Sequence, residues 1–185
     1  NSKEGIFDSR YETDIRHHSD ACPVYWGWRG TPTRKLADMY LCKSTGLPIE
    51  NANSGFEGYA TIKSEYENRD PRMKQTFLMP GTAYISPQDG ALTCPPQFTI
   101  RPETRTGYKL WKYMAETSVP SDKDVYDYHI IRYPEVLLIL AEATYEKDGA
   151  ISDDILNKTI NVIRSRKGVE MPPLTNAFVK GNGLD

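Results

Sequence analysis

One stretch of the chain departs from the ordinary mixture of apolar and polar residues: from Val136 to Ala143 only Glu142 interrupts the apolar side chains. Its charge-free part ends at Ala141, far short of the roughly 20 apolar positions that a bilayer-crossing helix needs. The segment is therefore not a membrane span. Pro134 suits a first helical position, where its missing N–H is not needed, and Glu135 suits the positive end of the helix dipole. Apolar side chains pointing in nearly every direction predict a helix surrounded by protein. Lys147-Asp148-Gly149 ends it, with glycine supplying the left-handed conformation common at helix C-termini.

A second helix is expected directly afterwards. Ser152 can cap it, Asp153 and Asp154 place negative charge at its start, and Ile155, Leu156, Thr159, Ile160 and Ile163 recur on one face. Asn157, Lys158, Asn161 and Arg164 fall opposite, Arg164, Arg166 and Lys167 complement the far end, and Gly168 closes it. The short link between the two helices predicts an antiparallel helical hairpin within 128–168.

Upstream the pattern is weaker. A strand is expected at Gly5 to Ser9, a helix near 32–43 that starts at Thr31-Pro32 and carries Leu36, Met39 and Tyr40 on one face, and a shorter helix near Tyr59 to Tyr66. Pro71 predicts an extended turn at Asp70. From Phe77 to Tyr128 short runs are cut repeatedly by proline, with strands expected at Lys109 to Tyr113 and Asp127 to Arg132 and no regular sheet specified. Roughly fifty residues with so little repetition exceed most connections in a compact domain and read as a functional excursion, or as a part stabilised by missing chain.

Composition narrows the function classes. The 23 basic and 25 acidic residues leave a net charge of −2 with no long block of one sign, so nothing attracts a nucleic-acid backbone. Cys22, Cys42 and Cys94 lack the paired spacing of zinc or redox sites; free thiols and one disulfide both remain open. His17 and His18 point in different directions and have no third ligand at helical spacing, and His129 has no nucleophile beside it. Glu135 and Glu142 share a helical face about 10 Å apart, beyond the about 5 to 9 Å of a glycosidase carboxyl pair. No catalytic, metal or cofactor site is therefore expected. Arg132, Glu135 and Arg164 are expected instead to form ion pairs that lock the hairpin. The best contact for a ligand is Tyr25-Trp26-Gly27-Trp28-Arg29, because sugar rings stack their C–H faces on aromatic planes while Arg bonds the hydroxyls. Core packing against Leu36 and Tyr40 is the competing role for these aromatics, and Trp111 is a second candidate.

Several stretches resemble one family. Arg132-Tyr133-Pro134-Glu135-Val136-Leu137-Leu138, continuing to Ala141-Glu142-Ala143, resembles the "RYAEVLLIYAEA" signature of SusD/RagB proteins, with Pro134 in place of the usual alanine. Ile160 to Arg166 resembles their "INxIRxRAG" helix, although Lys167 stands where alanine is common. Asn68 to Met73 is similar to "NRDPRL", Pro80-Gly81 to the following "PG", Gly107-Tyr108 with Lys112-Tyr113 to "GYxxxKY", and Thr45 to Ile49 to "DGLPI". The resemblance implies a mainly α, SusD-like fold, in which a tetratricopeptide-like hairpin supports a long irregular segment carrying short strands. Residues 1–185 would form one domain fragment, with 1–127 the loop-rich ligand-binding portion. The implied role is that of a cell-surface outer-membrane lipoprotein of Bacteroidetes that binds an oligosaccharide and delivers it to a SusC-type TonB-dependent transporter. A binder of peptides or other oligomers in the same family, or a helical-repeat interaction scaffold, are the alternatives. The same resemblance implies further chain on both sides, including a lipid-anchored N-terminal cysteine and a distal "ERRxELAFEGxRxxDLxRW" segment.

Overall fold

The computed structural model describes residues 4–18, 31–79, 81–86, 90–93, 106–112 and 123–184. Among these lie seven helices and two small sheets. The helices are α1 (Arg34–Asp38), α2 (Ile62–Tyr66), α3 (Pro71–Thr76), α4 (Tyr133–Asp148), α5 (Asp153–Lys158), α6 (Ile160–Arg164) and α7 (Asn176–Gly181). Strand β1 (Gly5–Ser9) pairs antiparallel with β4 (Tyr128–Arg132), and β2 (Ala83–Ser86) pairs antiparallel with β3 (Gly90–Thr93). No helix among the described residues is long and apolar enough to cross a membrane.

Helices α1 to α3 have five or six residues each, too short to persist alone, where roughly 12 to 15 are needed. Each is started by a side-chain cap. Thr33 accepts from the Leu36 N–H, Thr61 and Ser64 form a reciprocal capping box, and Asp70 accepts from the Arg72 N–H with Pro71 in the first turn. The three meet around a core of Ala37, Tyr66, Met73, Phe77 and Tyr108, where Phe77 stands edge-on to Tyr108 (5.5 Å) and to Tyr40 (5.9 Å).

Arg69 fastens this unit. Only 4% exposed, its guanidinium donates to the carbonyls of Ala37 (2.6 Å), Tyr40 (2.9 Å) and Glu65 (3.0 Å) at the C-terminal ends of α1 and α2, where helices run short of intrahelical donors. Asn68 adopts the left-handed conformation that asparagine tolerates, and its side chain accepts from the Ser44 N–H (2.9 Å).

The helical hairpin is present as expected. Gly149 takes the left-handed conformation at the end of α4, Ser152 caps α5, and both α5 and α6 pack on α4. The strands Gly5–Ser9 and Tyr128–Arg132 also fall where the pattern placed them. Other expectations are corrected. Helix α4 is not enclosed on all sides: Leu137 and Ala141 are buried, but Val136, Leu138, Ile139 and Leu140 are exposed, because α5, α6 and β4 cover only one stripe of it. The second helix is broken at Thr159, whose fully buried hydroxyl bonds back to the Ile155 carbonyl (2.6 Å) while its backbone leaves helical angles. It ends at Arg164, four residues before Gly168, since the Met171 N–H takes the Arg164 carbonyl.

The helix expected near 32–43 is only Arg34–Asp38, since Thr33 rather than Thr31 is the cap; Ala37 is its buried residue and Met39 is exposed. Lys109 to Leu110 meets Phe77 in a single bridge rather than a named strand, and Tyr113 lies outside the described residues. Helices α3 and α7 had no counterpart in the pattern.

The hairpin is tied to the α1–α3 unit through the segment after α6. The Lys43 ammonium donates to the carbonyls of Val169 and Glu170, and Gly46 lies against Arg164. Gly46 has φ +73°, and a Cβ there would come within 2.8 Å of Arg164 Nη2. Gly168 has φ +80° with nothing within 4 Å of such a Cβ. Both Gly→Ala variants should lose about 1 to 2 kcal/mol from backbone strain, and Gly46→Ala should lose more because the guanidinium must also move. Urea denaturation of the two variants measures the difference.

Candidate ligand-binding site

The loop favoured for ligand contact, Tyr25, Trp26, Trp28 and Arg29, lies outside the described residues, as do Cys22 and Cys94. The buried Pro32 carbonyl accepts a hydrogen bond from Thr106 Oγ1 (2.6 Å). Directly after it, the Arg34 guanidinium lies 3.7 Å over the Tyr59 ring, and the Tyr59 hydroxyl donates to Asp38 (2.7 Å). Burial and then the Asp38 carboxylate push that hydroxyl's pKa up, so it stays a donor. A concavity of about 540 Å³ opens beside this group, lined by Arg34, Asp38, Met39, Leu41 and Pro48 among others. An exposed aromatic ring flanked by a cation, a carboxylate and apolar side chains offers both stacking and hydroxyl recognition.

A second concavity, of about 430 Å³, has a different character. Arg72, Lys112, Arg132 and Arg166 line it together with Tyr40 and Thr76. Each arginine is held by a carboxylate. Arg72 grips Asp70 through Nε (3.0 Å) and Nη2 (2.5 Å), while Glu4 bridges Arg132 (3.4 Å) and Arg166 (3.0 Å). Glu4 arrives there because its carbonyl accepts the Tyr133 N–H (2.9 Å), extending the β1–β4 pairing by one step.

The ion pairs expected among Arg132, Glu135 and Arg164 do not describe this arrangement. Glu135 and Glu142 are exposed on α4, Arg132 meets Glu4, and Arg164 is buried with Nε donating to the Pro172 carbonyl (2.7 Å). Burial and then the charge of Arg72 lower the Arg164 pKa, with Asp70 opposing. Trp111 is half-buried, and its backbone N–H donates to the Thr76 carbonyl (2.7 Å), continuing the Phe77–Leu110 bridge. His129 Nδ1 sits 2.6 Å from the Asp8 carboxylate across the β1–β4 pair, and His18 stands edge-on to Tyr11 and Tyr126. Cys42 is a buried free thiol whose pKa burial pushes up. No group of three or more His, Cys, Asp or Glu able to hold a metal occurs among the described residues.

The matching family model is the SusD family, over residues 1–180. The chain belongs to the SusD family. Two solved structures from Bacteroides fragilis NCTC 9343 share its fold. One, described as a SusD-like carbohydrate binding protein, is 26% identical with a TM-score of 0.68, covering 98% of this chain and 37% of its own. The other, a SusD-like protein, is 25% identical with a TM-score of 0.65, covering 100% of this chain and 39% of its own. The chain therefore spans less than two fifths of the length of either relative. No curated protein matches the sequence.

The four cations around the second concavity come from stretches that carried the resemblance, yet their convergence was not read from the sequence. Their separation along the chain hides it; the only local signal was a basic residue recurring in each stretch.

Asp70 links scaffold and cavity, and its ionisation is predicted to control stability. Burial pushes its carboxyl up, but hydrogen bonds from Arg72 and the charges of Arg72 and Arg164 outweigh that and hold it below the ordinary value. A depressed folded-state pKa gives stability that is present above the unfolded value of about 4 and lost as pH falls below it. Asp70→Ala should cost about 3 kcal/mol, from a lost cap and a lost charge-assisted pair. Asp70→Asn keeps the cap and should cost less, while flattening the fall in melting temperature between about pH 4 and pH 2. Thermal melts across pH test both.

Proposed function

We propose that this SusD-family chain binds an oligosaccharide at the bacterial outer surface and hands it to a SusC-type TonB-dependent transporter, without catalysis of its own. The observation that carries the reading is the family match together with a shared fold, over nearly the whole chain, with a relative described as carbohydrate binding. In this reading 1–127 supplies the ligand contacts and 128–168 is the support. Tyr25, Trp26, Trp28 and Arg29 form the stacking loop, followed in sequence by Arg34, which meets Tyr59 and, through it, Asp38. Attachment to the membrane would be through a lipidated cysteine in further chain.

The physical case is one of complementary surfaces. A sugar presents apolar C–H faces and a rim of hydroxyls, which match aromatic rings bordered by guanidinium and carboxylate groups.

A glycan array should show binding to one saccharide class, and the full-length protein should co-purify with a transporter. Trp26→Ala and Trp28→Ala should each lower affinity for that saccharide about 30-fold, as loss of a central aromatic contact costs about 2 kcal/mol, with melting temperature unchanged. Unchanged affinity in both variants would remove the loop from the site. Binding of peptides without glycans would overturn the sugar reading, and turnover of any oligosaccharide would overturn the absence of catalysis.

A further inference from the structure

Among the described residues, three that are not glycine have positive φ: Asp14 (63°), Asn68 (52°) and Glu170 (48°). Two of the three are bonded to one residue. The Lys43 N–H donates to the Asn68 carbonyl (2.7 Å), and the Lys43 ammonium donates to the carbonyls of Val169 and Glu170. Asparagine tolerates the left-handed region because its short side chain can bond locally, whereas glutamate is strained there. Nor does the Glu170 side chain explain the conformation, since it is exposed. Its carbonyl does. In an extended segment successive carbonyls point to opposite sides, so a turn is needed to bring two of them onto a single ammonium. Hydrogen bonds from a charged donor are roughly twice as strong as neutral ones, which offsets strain at one residue.

We propose that Lys43 is a conformational clasp: its ammonium holds the turn 166–170 in a left-handed form that the turn does not keep alone, and so fixes Arg166 where the hairpin meets the α1–α3 unit. The Arg166 carbonyl accepts the N–H groups of Val169 (2.9 Å) and Glu170 (3.1 Å), which closes the turn on Arg166 itself. Arg166 Nη1 in turn reaches Glu4 (3.0 Å), just before β1, and its side chain forms part of the wall of the 430 Å³ concavity. The base of the clasp is firmly set. Lys43 lies between buried Cys42, whose N–H donates to the Leu47 carbonyl (2.8 Å), and Ser44, whose N–H donates to Asn68 Oδ1 (2.9 Å).

A competing cause for the turn is burial of its neighbours. Val169 and Met171 are 2% and 5% exposed, and packing both inward while Glu170 faces out would itself bend the chain. The two causes differ in what removing the ammonium does. A turn held by Lys43 relaxes without it, and a turn fixed by packing stays left-handed.

The test is urea denaturation of Lys43→Met, Glu170→Gly and the double variant, with amide hydrogen exchange on Lys43→Met. Glu170→Gly relieves the strain but gives the unfolded chain more freedom. In the native background relief outweighs freedom, and the folded-to-unfolded ratio should rise about threefold. In the Lys43→Met background the turn has already relaxed, so the same substitution should lower the ratio about threefold. Exchange at the Val169, Glu170 and Met171 amides should accelerate about tenfold in Lys43→Met relative to the amides of α4. An equal effect of Glu170→Gly in both backgrounds assigns the turn to packing of Val169 and Met171 and overturns the clasp, as does unchanged exchange at the three amides. Glu170→Gly leaves every contact of Lys43 in place, so a loss of stability in the native background overturns the clasp whether or not Lys43→Met folds.

Discussion

The fold around the candidate sites depends on one buried guanidinium. Helices of five or six residues have more backbone groups without an intrahelical partner than with one, so α1 and α2 need partners outside themselves to stay formed. Arg69 supplies several donors from one rigid plane and sets them against carbonyls at the ends of both helices. Its neighbour Asp70 starts α3, and the Asp70 N–H donates back to the Leu41 carbonyl (2.8 Å). Three adjacent residues, Asn68, Arg69 and Asp70, thus serve a loop, two helix ends and a helix start. Such a turn cannot be altered piecemeal, because the backbone conformation at Asn68 decides where the next two side chains point.

This turn also places the cationic cavity. Asp70 holds Arg72, and Arg72 forms one wall of the cavity; the opposite side is built from Arg132 at the end of β4 and Arg166 after α6, joined by Glu4. The cavity therefore lies where the short-helix unit meets the hairpin. Side-chain bonds to backbone carbonyls also cross the seam, from Lys43 to Val169 and Glu170 and from Asn51 to Asn182 (3.2 Å). On the hairpin side, Asn161 holds both the N–H and the carbonyl of Leu174 (2.7 and 2.8 Å), and Arg164 holds Pro172. Polar side chains that fill carbonyl positions fix relative orientation more sharply than apolar contacts, which tolerate sliding.

Where the determinants are local, the sequence was readable. Gly149 after α4, Ser152 before α5 and the strands Gly5–Ser9 and Tyr128–Arg132 each follow from a residue and its immediate neighbours. Features set by distant partners were not. Periodicity put Asn161 and Arg164 opposite the apolar face, with Arg164 expected in an ion pair, yet both are buried and bonded to the backbone of the returning segment 171–174. The break at Thr159 depends on a hydroxyl choosing its own helix carbonyl, which the spacing of apolar residues cannot report. Helix α4 reads as buried on all sides from its composition, while among the described residues its buried side chains are Leu137 and Ala141. Of the candidate site, the Tyr25 to Arg29 loop was visible as composition alone. The cationic cavity was invisible because its four members are far apart in the chain.

The two concavities differ in the physical effects they offer. The one beside Arg34 and Asp38 borders the apolar side chains of Met39, Leu41 and Pro48, whose attraction is short-ranged. The other is lined by Arg72, Lys112, Arg132 and Arg166, and charge acts over about 8 Å at physiological ionic strength and weakens as salt rises. Because Arg72 and the α1 end beside Tyr59 are both positioned from the Asn68–Asp70 turn, the relative placement of the two surfaces is a property of that turn rather than of either site.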